Sequence, residues 1–210
     1  MLKQPNGRYC YDGRMKHHII YVPGIGDHRS YGQKIAINLW RFFGFTPHYF
    51  PLTWNREDGL ETKIQRLVEK IDSLRAEGDF VSLVGISAGA SAVLNAYAQR
   101  MDIMGVVYIC GKINHTETIW EEVLRINPDF ARSLKQLPRS LQVLGPKHKK
   151  RLLNLHPRKD LAVPPEDTFI AGATEVIVPG WSHMTGIFFG VIYGAPIISK
   201  FLKQLRNNQF

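Results

Sequence analysis

Short apolar runs alternate with amphipathic segments along the chain, a pattern that predicts βαβ units and a parallel sheet. Residues 18–22 form a β-rich run that ends at Pro23-Gly24-Ile25-Gly26. Residues 30–43 then place Ile35, Leu39, Trp40 and Phe43 on one helical face, with Gly44 as a stop. A brief strand follows at 46–50. The clearest helix is 60–77, where Leu60, Ile64, Leu67, Val68, Ile71 and Leu74 keep a spacing of three to four residues until Gly78. A strand at 80–84 leads into a small-residue helix from Ala88 to about Arg100, and 104–110 is the next strand. Between 116 and 137, the apolar positions Trp120, Val123, Leu124, Phe130, Leu134 and Leu137 are split by Asn127-Pro128. That break predicts two short helices, the second opened by its proline. The last strands fall at 152–155 and 175–178.

No charged residue occurs from 176 to 199, although Pro179, Gly180, His183 and Pro196 interrupt the stretch. The interruptions leave less than the ~20 apolar residues of a membrane span. Gly186, Gly190 and Gly194 recur every fourth residue, a spacing that allows close approach of another element. The stretch therefore predicts, together with 197–206, one final helix that lays its small face on the sheet. Phe188, Phe189 and Ile192 are expected to fill the flanks of that face. A membrane role is the alternative reading of the same spacing.

A length of 210 residues suits one α/β domain over 1–210, large enough to bury a core without disulfides or metals. Hydrophobic residues at 44% and charged residues at 21% exclude a disordered chain. Two cysteines, Cys10 and Cys110, exclude a disulfide framework and a cysteine-built zinc site. The first residues show no apolar signal segment, which gives the expectation of a cytoplasmic protein. Lysine and arginine exceed aspartate and glutamate by 27 − 18 = 9, a basic balance.

The chemistry begins at Gly85-Ile86-Ser87-Ala88-Gly89, a G-x-S-x-G pattern that follows an apolar strand and opens a helix. In that setting the pattern reads as a nucleophile elbow rather than an ordinary turn of small residues. The glycines leave room for a tight turn, the turn exposes the serine Oγ, and the helix N-terminus faces any oxyanion that forms. A serine hydroxyl is a poor nucleophile at neutral pH, so a base and an orienting acid are required. Asp160 lies just past the strand at 152–155, and His183 just past the strand at 175–178. Adjacent parallel strands lie about 4.8 Å apart, so loops at their ends can touch. His28, beside the loop after the first strand, and His156 are rivals for the base, and Asp102 is the rival acid. The other histidines fall at strand starts, within strands or in surface loops.

The elbow, the order Ser87, Asp160, His183 and the strand-end positions resemble the α/β-hydrolase superfamily over residues 17–206. The resemblance implies a compact α/β-hydrolase fold: a mostly parallel central sheet flanked by helices, with little or no cap. With 16 residues ahead of the first clear strand, it implies an N-terminal edge that is missing or reduced to residues 7–13. It also implies an oxyanion hole from the backbone N–H of Ala88 and a second N–H at Ile25, where Pro23 stands in place of the family's usual histidine. The function implied is a serine hydrolase acting on a carboxylic ester or related acyl compound, with no cofactor and no metal. Residues 116–137 form either a small helical lid or an ordinary crossover.

Other chemistries fare worse. No phosphate-binding loop occurs, and Gly24-Ile25-Gly26 lacks the third glycine of a dinucleotide fingerprint. The basic run through Lys147, Lys149, Lys150 and Arg151 reads as a solvated loop or as a weak contact with anionic lipid. It lacks interleaved aromatics, so nucleic acid is not expected as a partner. Two further readings stand beside the enzyme: a non-catalytic binding protein of the same fold, and a peripheral membrane protein.

Overall fold

A computed structural model describes residues 2–3, 9–10, 15–27, 31–75, 78–119 and 121–208. His28, Trp120 and most of the reduced edge expected at 7–13 lie outside these residues. Six strands, β3 (His17–Val22), β4 (Thr46–Tyr49), β5 (Phe80–Ile86), β6 (Val106–Ile109), β7 (Leu152–Pro157) and β8 (Thr174–Val178), form one sheet. Their order is β4-β3-β5-β6-β7-β8, and every neighbouring pair is parallel. The strands β1 (Leu2–Lys3) and β2 (Tyr9–Cys10) pair antiparallel as a separate ribbon.

The inner strands β3, β5, β6 and β7 are buried at every residue, as strands covered on both faces must be. Alternate residues feed two cores. Ile20, Val22, Leu83 and Tyr108 face one side, where α2 (Leu60–Arg75), α3 (Ala88–Gln99) and α5 (Pro128–Gln142) pack. Ile19, Tyr21, Val84 and Ile109 face the other, under α1 (Tyr31–Asn38), α7 (His183–Ile192) and α8 (Gly194–Asn207). The remaining helices are α4 (Glu121–Ile126) and the single turn α6 (Pro146–Lys149). The chain leaves β3 for β4 on one side and then crosses to β5 on the other. The carboxyl ends of β3 and β5 therefore flank a topological switch point, where open α/β sheets form their clefts.

The C-terminal segment differs from the single helix expected. It is two helices bent by 56° about Tyr193. Pro196 explains the break, because it has no N–H to give the Ile192 carbonyl and its ring crowds the preceding turn. The glycine face does lie on the sheet. A Cβ on Gly190 would fall 2.4 Å from the Ile109 side chain, and one on Gly186 2.6 Å from Pro157. Phe188 does not fill a flank, since it is 58% exposed. Among the described residues no single helix is long and apolar enough to cross a membrane, and α7 with α8 approaches that length only as the bent pair.

Three boundaries also shift. The helix expected over 30–43 ends as a 3-10 turn at Leu39–Phe43. Helix α5 continues through Pro138 to Gln142 instead of stopping at 137, and the basic loop begins with α6. Helix α5 is fixed in place from beneath. Lys63 of α2, fully buried, pairs with Asp129 at 3.1 Å and with Asp58, and Asn95 Nδ2 of α3 donates to the Ser133 carbonyl at 3.0 Å. Helix α4 buries no residue fully.

Candidate active site

Ser87 is held at φ 50°, ψ −118°, a conformation that L residues seldom adopt and that the neighbouring packing must enforce. Its N–H donates to the Ile109 carbonyl of β6 at 2.9 Å, and its own carbonyl accepts from Ala90 N–H at 2.9 Å. The flanking glycines permit this turn through close approach. A Cβ on Gly89 would lie 2.3 Å from the Val22 carbonyl oxygen, and one on Gly85 2.5 Å from the Gly89 carbonyl oxygen. The strand, the turn and the helix are thereby pressed together, and Oγ is left at the carboxyl edge of the sheet.

His183 Nε2 stands 2.9 Å from Ser87 Oγ, and its Nδ1 stands 2.7 Å from Asp160 Oδ2. An ionised carboxylate can only accept, so Nδ1 carries the proton and Nε2 is the acceptor for the serine hydroxyl. The other carboxylate oxygen, Asp160 Oδ1, accepts from the backbone N–H groups of Ala162 at 2.9 Å and Val163 at 3.0 Å. Burial opposes the charge on Asp160, but the His183 hydrogen bond, the Val163 N–H and the charge of His183 outweigh it. The carboxyl is held below its ordinary value of 3.8. His183 is the first residue of α7, and a capping box fixes it: Ser182 Oγ accepts from Thr185 N–H, and Thr185 Oγ1 accepts from Ser182 N–H at 3.0 Å.

Ala88 opens α3, and a Cβ on Gly24 would lie 3.6 Å from the Ala88 nitrogen. The loop after β3 thus adjoins the elbow, and Ile25 lines the same cavity as Ser87, Ala88 and His183. That cavity measures about 690 Å³. Its apolar wall comes from Ile119, Val123 and Phe130 of the crossover between β6 and β7 and from Leu161 and Val163 beyond Asp160. A polar corner that the sequence reading missed lies on the same wall. There Asp167 takes hydrogen bonds from buried Lys112 and from His115 at 2.6 Å, and Lys112 also donates to Thr118 at 2.5 Å. Nothing in the spacing of Lys112, His115 and Asp167 marked them, because residues 52 or more positions apart are joined only by the fold.

Two of the rivals, His156 and Asp102, are placed elsewhere. His156 is buried between Glu175, at 2.7 Å, and the Pro157 carbonyl, at 2.9 Å. Asp102 is taken up by Arg75 and Arg100 at the far end of α3. Cys110, Asp160 and His183 offer ligand atoms within 4.8 Å of one another, the one such metal-sized grouping among the described residues. They fit an ion poorly. Both imidazole nitrogens are engaged, and burial, then the Asp160 charge, pushes the Cys110 thiol well up and away from the thiolate.

Solved structures with the same architecture come from several sources. A monoacylglycerol lipase of Paleococcus ferrophilus superposes with a TM-score of 0.60 at 18% identity, over 90% of this chain and 94% of its own. Est1E from Butyrivibrio proteoclasticus gives a TM-score of 0.67 at 14% identity, over 92% and 89%. An α/β-hydrolase enzyme from the metagenome of lagoon sediments of Mar Chica, Morocco, gives 0.62 at 16% identity, over 93% of both chains. Neither a protein-family model nor a curated sequence matches the chain. The chain has the α/β-hydrolase fold, with a six-stranded parallel sheet.

Proposed function

We propose that the protein is a serine hydrolase that cleaves a carboxylic ester or a related acyl bond through an acyl-enzyme. The observation that carries the reading is the pair of hydrogen bonds on His183, 2.9 Å to Ser87 Oγ and 2.7 Å to Asp160. In this reading Ser87 Oγ attacks the substrate carbonyl carbon while His183 Nε2 takes the hydroxyl proton. Asp160 keeps the imidazole in the required tautomer and stabilises the imidazolium as it forms. The N–H groups of Ala88 and Ile25 bind the oxyanion, and the helix N-terminus behind Ala88 adds to that field. Collapse expels the alcohol, which leaves with the proton from His183. Water then repeats the sequence on the acyl-enzyme, releasing a carboxylic acid and restoring the serine. The apolar wall suits an acyl chain, and solved structures of this fold that are described as lipases and esterases support that class.

The test is labelling of the purified protein with a fluorophosphonate, followed by hydrolysis of aryl esters of increasing acyl length. Wild type is expected to label and Ser87→Ala to remain folded without labelling. Equal labelling of both would sink the reading.

A further inference from the structure

The acidic residues are distributed unevenly over the molecule. All 18 lie outside residues 28–56 and 176–210. Those two stretches supply the edge strand β4 and, with α1, the turn Leu39–Phe43, α7 and α8, the whole helical layer on one side of the sheet. Helices α1 and α7 are packed as neighbours in that layer, with Trp40 Nε1 donating to the Val191 carbonyl at 3.1 Å. Its outer surface carries Lys34, Arg41, Lys200 and Lys203, all exposed. Between them stand large apolar side chains that the core does not take up: Ile35, Leu39 and Phe42 on the first helix and turn, and Trp181, Met184 and Phe188 on and before α7. Phe42 is 88% exposed. The spacing of Ile35, Leu39 and Phe42, and of Trp181, Met184 and Phe188, repeats every three or four residues, so each set forms a stripe.

We infer that this layer is a docking face for an anionic lipid surface. Cations without acids draw the face to negative headgroups, and the aliphatic and aromatic stripes then enter the headgroup boundary. A second copy of the chain fits badly, because a twofold pairing would press cations against cations with no carboxylate to receive them. Nucleic acid would use the cations but leave exposed Ile35, Leu39, Met184 and Phe188 without a role. Docking here also orients the molecule. Helix α7 begins at His183, which lines the cavity, and Trp181 and Met184 flank His183 in the chain, so docking would set this edge of the molecule beside the lipid. The basic run at Lys147–Arg151 cannot do this. It precedes β7 and therefore sits at the amino ends of the strands, opposite the cavity. The surface is independent of the catalytic reading.

The experiment is co-sedimentation of the untagged full chain with large vesicles, of phosphatidylcholine alone or with one-third phosphatidylserine. Strong binding is expected only to the anionic vesicles, weakening but not vanishing as salt is raised. Phe42→Ser with Phe188→Ser should weaken it about tenfold or more, and so should Lys200→Glu with Lys203→Glu. Lys147→Glu with Lys150→Glu and Ser87→Ala should each bind as wild type. The substituted phenylalanines and lysines lie on the surface, so those variants should melt as wild type does. No sedimentation with anionic vesicles would overturn the inference. So would binding lost only in the Lys147, Lys150 variant, or binding to a duplex oligonucleotide that the phenylalanine variant leaves unchanged. A stable dimer in solution that buries Phe42 and Phe188 would overturn it as well.

Discussion

His183 reaches Ser87 across three strand spacings of the sheet. The two residues follow β8 and β5, which are separated by β7 and β6, a lateral distance of roughly 14 Å at normal strand spacing. The 2.9 Å contact therefore depends on a return path over the strand ends. Gly180 provides the turn at φ 137°, and Gly186 lets α7 settle directly on Pro157 at the end of β7 and beside Cys110 at the end of β6. The small residues of this segment thus govern the His183–Ser87 contact as well as packing.

Gly186→Ala tests that dependence. A helix-interior alanine normally gains about 1 kcal/mol over glycine. Here the added Cβ would lie 2.6 Å from the ring of Pro157, which cannot rotate away. The clash should win, with a net loss of about 1–3 kcal/mol. The fluorophosphonate labelling rate should fall at least tenfold as His183 is lifted from Ser87. A variant that is more stable than wild type and labels at the same rate would show that α7 does not set the position of His183.

Asp160→Asn tests the acid. Because Asp160 is held below its ordinary 3.8, it is ionised throughout the neutral range and can fix the Nδ1–H tautomer there. An amide in its place can still accept from Ala162 and Val163, so the fold should be kept. It no longer stabilises an imidazolium, and kcat should drop on the order of 10³–10⁴-fold with KM little changed. A loss below about tenfold in steady-state ester hydrolysis would remove Asp160 from the proposed role.

The legible parts of this protein are those fixed by neighbours in sequence. The elbow could be read because Gly85, Ser87 and Gly89 must be close in the chain to make one turn, and Asp160 and His183 because each follows an apolar run. Adjacency of β7 and β8 explains the Asp160–His183 contact directly. It does not explain His183–Ser87, which needed the path through Gly180 and Gly186. The polar corner of Lys112, His115 and Asp167 had no local signature, because long-range burial alone assembles it. The bend at Tyr193 was present in the chain as Pro196, but the helical periodicity on either side concealed it.

Val123→Trp tests the cavity wall. Val123 lies on α4, which buries no residue fully, and lines the cavity, whereas Phe130 also packs edge-on against Trp54 in the core at 5.7 Å. Indole at position 123 should occupy space intended for acyl carbons without disturbing α5. The expected outcome is a fall of about tenfold or more in kcat/KM for long acyl esters, with short ones spared. A uniform change across the chain-length series would place the acyl group elsewhere.

His17 makes stability depend on pH in a direction that can be worked out. It lies at the start of β3, with Nε2 2.8 Å from Ser82 Oγ and its ring set between Phe45 and Phe80. Its Nδ1 has no hydrogen-bond partner among the described residues. Burial, then the positive charge of Arg206, lowers its pKa from 6.5 to about 3. Between those values the unfolded chain takes up a proton that the native protein refuses, so unfolding becomes easier as pH falls. The contribution is absent above 6.5, grows by at most about 1.4 kcal/mol per pH unit below it, and levels off near pH 3. His17→Phe removes the titrating group while keeping an aromatic ring against Phe45 and Phe80, at the cost of the Ser82 hydrogen bond. Urea unfolding of wild type and variant between pH 7 and pH 5 should show the variant gaining on wild type by about 1–2 kcal/mol as the medium becomes acidic. Parallel pH dependences for the two proteins would mean that His17 is protonated in the native state.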